Sequence, residues 1–106
     1  HENEEITVQE LKSRLDNNEK NFLLDVREPY EYEIANLSGL LIPLSQVSYR
    51  LHELDASKEI IVYCHHGTRS AYAVQLLKQH GFRSVKNLTG GIDAWATLID
   101  QTMRRY

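Results

Sequence analysis

A chain of 106 residues is long enough for one sheet with helices packed on it and too short for two such domains side by side. With 42% hydrophobic residues, 25% charged residues and a net charge of −3, the composition excludes a disordered chain and gives no general case for nucleic-acid or membrane binding. The longest apolar run, residues 60–64, is far too short to span a bilayer.

The chain opens His1-Glu2-Asn3-Glu4-Glu5, with no secretory signal, and its only methionine is Met103. It is therefore expected to be one domain, residues 1–106, cut from a longer polypeptide, and cytoplasmic. Ile6 starts a short strand. Thr7 then opens a helix, with Glu10 placed three residues on as its capping-box partner and Val8, Leu11 and Leu15 on its apolar face. Residues 22–26 form a buried strand. Pro29 suits the first turn of a second helix, where the early glutamates among Glu28, Glu31 and Glu33 meet the positive helix end. Residues 40–42 are a strand stopped by Pro43, and Val47, Leu51 and Leu54 mark a short helix. Residues 59–64 are the strongest strand, apolar without interruption from Ile60 to Tyr63, as a central strand covered on both faces should be. A helix follows over residues 70–80 with Gly81 as its stop. Residues 85–88 are a last strand, Gly90-Gly91 a turn, and Ile92, Trp95 and Leu98 the apolar side of a last helix. The tail from Gln101 shows no regular pattern. Strands alternating with helices argue for an α/β unit around a parallel sheet.

Charge is unevenly spread. Residues 1–33 hold ten acids and four bases, whereas residues 68–106 hold six bases and two acids. The single cysteine, Cys64, excludes an internal disulfide, a C-x-x-C redox pair and a multi-cysteine zinc site. A lone cysteine is most often a small buried hydrophobe, so only its surroundings can promote it to a nucleophile.

Those surroundings are Cys64-His65-His66-Gly67-Thr68-Arg69-Ser70. A buried strand ends at the cysteine, a tight loop follows, and a helix starts. In open α/β sheets, sites form at the carboxyl ends of strands. A loop curling round Cys64 and the helix start beyond it would aim backbone N–H groups at the sulfur, stabilising a thiolate and equally an added, anionic outer sulfur. Gly67 permits the turn, and Arg69 adds a permanent charge.

This segment resembles the active-site loop of the rhodanese family, with Cys64, Gly67, Arg69 and Ser70 in the family pattern. Residues 24–32, Leu-Asp-Val-Arg-Glu-Pro-Tyr-Glu-Tyr, resemble the family's early signature. Residues 88–95, Leu-Thr-Gly-Gly-Ile-Asp-Ala-Trp, resemble its late one. The resemblance implies a central five-stranded, mainly parallel sheet with helices on both faces. It also implies a sulfurtransferase in which Cys64 takes sulfane sulfur from a small donor, such as thiosulfate or a persulfide, and passes it to a nucleophile. Residues 30–37 and the ending through Tyr106 resemble rhodanese domains fused to adenylyltransferases that activate ubiquitin-like sulfur carriers, which implies such a carrier and such a fused domain as partners.

The loop departs from the pattern at His65, where the family commonly has Arg or Lys, so it carries less charge for a dianion such as thiosulfate. Residues 36–40, Asn-Leu-Ser-Gly-Leu, replace the usual His-Ile-x-Gly-Ala. Four residues separate Cys64 from Arg69, whereas cysteine-dependent phosphatases on the same fold place five. The longer cradle suits a tetrahedral phosphate and the shorter one a single sulfur atom, which leaves a phosphatase or arsenate reductase, and a binding module that turns over no sulfur, as the alternatives. The expected site is Cys64 as nucleophile, His65, His66, Gly67, Thr68 and Arg69 as the anion-binding loop, and Ser70, Asp25 and Arg27 in support. Asp25 and Arg27 are expected to brace the loop by an ion pair or backbone bonds. His65 and His66 are expected to touch substrate, because neighbours in sequence rarely converge on one ion. Trp95 belongs to the core. No metal is expected, since no other ligand cluster is visible, and no cofactor, since no phosphate-binding glycine motif occurs.

Overall fold

The computed structural model describes residues 4–106. His1, Glu2 and Asn3, where the sequence lacks a starting methionine, lie outside them. Strand β1 (Glu5–Ile6) leads through Thr7 into α1 (Val8–Asp16). The capping box forms as expected. The Glu10 N–H donates to Thr7 Oγ1 at 3.1 Å, and the Thr7 N–H donates to Glu10 Oε1 at 2.8 Å. Strand β2 (Phe22–Asp25) is followed by α2 (Pro29–Ile34), which carries its proline at the first helical position, and by β3 (Leu40–Leu41). The single short helix expected over 47–54 is instead two 3₁₀ turns, Leu44–Tyr49 and Leu51–Glu53. Pro43 fixes the entry and Arg50 breaks the run, and pieces this short favour the tighter winding.

Strand β4 (Ile60–Tyr63) runs into α3 (Thr68–Gln79), then β5 (Val85–Leu88) and α4 (Gly91–Leu98). Helix α3 starts two residues before the expected Ser70, because Gly67, at φ +107°, turns the chain directly into it. Helix α4 likewise starts at Gly91, one residue early.

The five strands form one sheet in the order β1-β5-β4-β2-β3, and every pairing is parallel. All four residues of the central β4 are buried, and alternation divides them between the faces. Ile60, Val62 and Cys64 join Ala73, Val74 and Leu77 of α3. Ile61 and Tyr63 join Leu11 of α1 and Ile92 and Trp95 of α4. Helices thus cover both faces, and Trp95 is core. Register fixes what flanks the end of β4: Asp25 pairs with Tyr63 on one side and Asn87 with Val62 on the other. No helix among the described residues is long and apolar enough to cross a membrane.

Candidate active site

Cys64 lies just past the carboxyl end of β4 and is 1% exposed. Three groups surround its sulfur. The N–H of Gly67 donates to Sγ at 3.1 Å and the N–H of Ser70 at 3.3 Å. The Ser70 hydroxyl lies 3.3 Å away. Gly67 is both the left-handed N-cap of α3 and a donor, so one backbone conformation starts the helix and closes the cradle. Donors converging from a loop and a helix start stabilise negative charge on sulfur.

Helix α4 holds the loop from behind. The N–H groups of Ile92 and Asp93 donate to the carbonyls of Cys64 and His65 at 2.9 and 3.0 Å. This needs close approach, since a Cβ at Gly91 would stand 2.5 Å from both carbonyl oxygens. From β5, buried Asn87 accepts a hydrogen bond from the Ser70 hydroxyl and donates through Nδ2 to the Gly67 carbonyl at 3.2 Å. Asn87 therefore fixes both donor residues of the cradle. Glu5 on β1 accepts from the same Nδ2 at 3.2 Å.

Asp25 and Arg27 form an ion pair with each other. Arg27 and Asp25 are fully buried, and Arg27 Nη2 lies 2.7 Å from Asp25 Oδ2. Burial alone disfavours the guanidinium charge. The bonds that Arg27 donates to Asp25 and to the Tyr106 hydroxyl outweigh it and hold Arg27 protonated. Arg27 also donates to the carbonyls of Glu31 and Ala35.

Arg69 is not a free charge over the loop. Its two terminal nitrogens bond both oxygens of Glu31, at 2.7 and 2.9 Å. That fork holds the Glu31 carboxyl down to about 2, chiefly through Arg69, with the Glu28 N–H helping. In the sequence Glu31 reads only as an acid at a helix end. Its position three residues past the N-cap turns it inward, where it is buried. Asn87 and Tyr106 carry no local signal in the sequence that marks them as site residues. The Tyr106 hydroxyl accepts from Arg27 Nη1 at 2.7 Å and donates to Glu31 Oε2 at 2.9 Å. A tail without regular structure thus reaches the site.

The remaining loop residues divide. His65 stacks on Tyr106, with ring centroids 3.9 Å apart and planes 9° from parallel. Burial first, then His66, lowers its pKa, although Asp93 and Glu31 pull the other way. His66 is exposed, 3.8 Å from Asp93. Thr68 is exposed at the start of α3. No group of three or more His, Cys, Asp or Glu side chains among the described residues is placed to hold a metal ion.

A family model described as "Rhodanese-like domain" matches residues 7–98. A protein of Allochromatium vinosum named "Sulfurtransferase" is 36% identical over 87% of this chain and 87% of its own length. The "Adenylyltransferase and sulfurtransferase MOCS3-1" of Zea mays is 40% identical over 99% of this chain, which spans only 24% of that protein. Another curated relative is spanned over half its length. A crystal structure of a rhodanese-like domain protein from Staphylococcus aureus superposes with a TM-score of 0.82 at 29% identity, covering 87% of this chain and 90% of that one.

Proposed function

The chain belongs to the rhodanese-like domain family, and from that premise we propose that it transfers sulfane sulfur through a persulfide on Cys64. The observation that carries this reading is the cradle: two backbone N–H groups and a hydroxyl, all within 3.3 Å of one buried sulfur. In the first half-reaction the Cys64 thiolate attacks the sulfane sulfur of a donor. With thiosulfate, a Cys64 S–S bond forms, the donor's S–S bond breaks, and sulfite leaves with the electron pair. The product is Cys64–S–S⁻, whose terminal charge the same donors can follow by small shifts of the loop. In the second, an acceptor such as cyanide or a thiolate takes the outer sulfur and Cys64 leaves as thiolate. This is covalent catalysis by a cysteine nucleophile.

Ser70 supports both states. Its hydroxyl sits between Sγ and the Asn87 carbonyl oxygen, so its proton can face either. Asp25, Arg27 and Glu31 are assigned to holding the loop, and Arg69 to orienting its start. Because Glu31 occupies both arms of the guanidinium, Arg69 is poorly disposed to clamp a phosphate, which argues against phosphatase chemistry. In a longer protein resembling the maize relative, the acceptor would be a sulfur-carrier protein activated by the adenylyltransferase part. A thiosulfate:cyanide assay tests the reading. Thiocyanate should form with ping-pong kinetics, and Cys64→Ala should form none. Equal thiocyanate from the alanine variant would remove Cys64 from the mechanism.

A further inference from the structure

Residues 104–106 fold back over the site and are tied at two points. Arg105 pairs with Asp93 of α4 at 3.1 Å, and Tyr106 reaches Arg27 and Glu31. The Tyr106 hydroxyl completes an unbroken chain of bonded groups: Asp25, Arg27, Tyr106, Glu31, Arg69. That chain runs from the end of β2 to the first turn of α3, beside the cradle. The ring of the same residue lies flat on His65, next to Cys64. Under this cover His65 Nε2 is buried with no hydrogen-bond partner. An orphan buried nitrogen is unfavourable and calls for an explanation. The Tyr106 ring on its face, with the His66 ring 3.9 Å away and tilted by 34°, leaves the imidazole little room for water.

We propose that Tyr106 is a positioning residue for sulfur transfer: its ring seals the imidazole of His65 from water, and its hydroxyl fixes the carboxylate that orients Arg69. The proposal rests on the sulfurtransferase reading only for its kinetic consequence.

The charged groups around His65 come from every neighbouring element. They are His66 of the loop, Asp93 of α4, Glu31 of α2 and Arg69 of α3, with Arg105 on Asp93 and Arg27 on the Tyr106 hydroxyl. Sealing acts against all protonation of the ring, and burial is the largest influence on it. Removing the ring of Tyr106 would let water reach His65 and return it toward the ordinary histidine value of about 6.5. Below that pH the loop would gain a positive charge one residue from Cys64. That charge would favour both the thiolate and an anionic donor.

The test compares wild type, Tyr106→Phe and Tyr106→Ala in two measurements. The first follows the His65 ring by NMR titration. Wild type and Tyr106→Phe should titrate below the ordinary value, and Tyr106→Ala should titrate near it. The second follows sulfur loading from thiosulfate by intact mass at pH 6 and pH 8. The ratio of the rates, pH 6 over pH 8, should rise several-fold in Tyr106→Ala and stay at the wild-type value in Tyr106→Phe. Loading by Tyr106→Phe should be slower by a similar factor at both pH values, because only the hydroxyl bridge is lost. A purely structural tyrosine would move stability and leave the titration and the rate ratio alone. The same His65 midpoint in wild type and Tyr106→Ala overturns the proposal. If none of the three proteins loads sulfur from thiosulfate or from a small persulfide, the sulfurtransferase reading fails, and the titration still decides whether Tyr106 governs His65.

Discussion

The carboxylate of Glu31 touches no reacting atom, yet it joins two cationic side chains beside the site. One of them, Arg69, holds both its oxygens, and the other, Arg27, bonds the Tyr106 hydroxyl that bonds Glu31. Its carboxyl lies at about 2 against an ordinary 4.5, first because of Arg69. A carboxyl depressed on folding contributes stability above its unfolded pKa and loses it as pH falls through the folded value. The contribution is thus complete above pH 4.5 and drains away toward pH 2. It should amount to about 1–2 kcal/mol after discounting for solvent at the partly exposed Arg69. Urea midpoints followed from pH 6 to pH 2.5 should show a shallower acid limb in Glu31→Gln than in wild type; parallel limbs would refute this. At Gly67 the argument is conformational. An alanine there has room for its Cβ, whose nearest neighbour would be 3.5 Å away, but must hold φ at +107°. Gly67→Ala should cost about 1–2 kcal/mol by urea unfolding. It should also slow sulfur loading, because the relaxed backbone carries the N–H away from Sγ.

Among the elements, β5 and α4 contribute more to the site than their distance in sequence from Cys64 suggests. Strand register sets Asn87 beside Val62, from where its amide bonds both Ser70 and the Gly67 carbonyl. Asn87→Ala strips a buried hydroxyl and a buried carbonyl of partners. It should lower stability by about 1–3 kcal/mol and slow loading as well. Thr7→Ala gives the contrast. It removes the cap of α1, which should cost about 1 kcal/mol, and thiosulfate loading at saturating donor should be unchanged. If both variants lost loading in proportion to stability, Asn87 would have no particular hold on the cradle. Helix α4 acts through its first N–H groups, which bond the carbonyls of Cys64 and His65. Only a residue without a Cβ at Gly91 lets the helix start that close.

Across the whole molecule, what the sequence reveals and what it hides follow from range. The strand–loop–helix around Cys64 is local, so its spacing and its Gly67 give the cradle away, and the apolar run of β4 gives away a strand covered on both faces. The Asp25–Arg27 pair spans two residues and is equally legible. Glu31 meets Arg69 from 38 positions away, Ser70 meets Asn87 from 17, and Tyr106 meets Arg27 from 79. No periodicity or motif encodes such meetings, which depend on strand order and on how the tail returns. The uneven charge was a faint trace of them. Acids of residues 1–33 meet bases of residues 68–106 at the Glu31–Arg69 and Glu4–Lys78 pairs. The central claim is that Cys64 carries the sulfur, and intact-mass analysis after incubation with thiosulfate tests it most directly. Wild type should gain one sulfur atom and lose it on adding cyanide, while Cys64→Ala should gain none. A wild-type protein that takes up no sulfur from thiosulfate or from a small persulfide, or an alanine variant that takes it up equally, would contradict the claim.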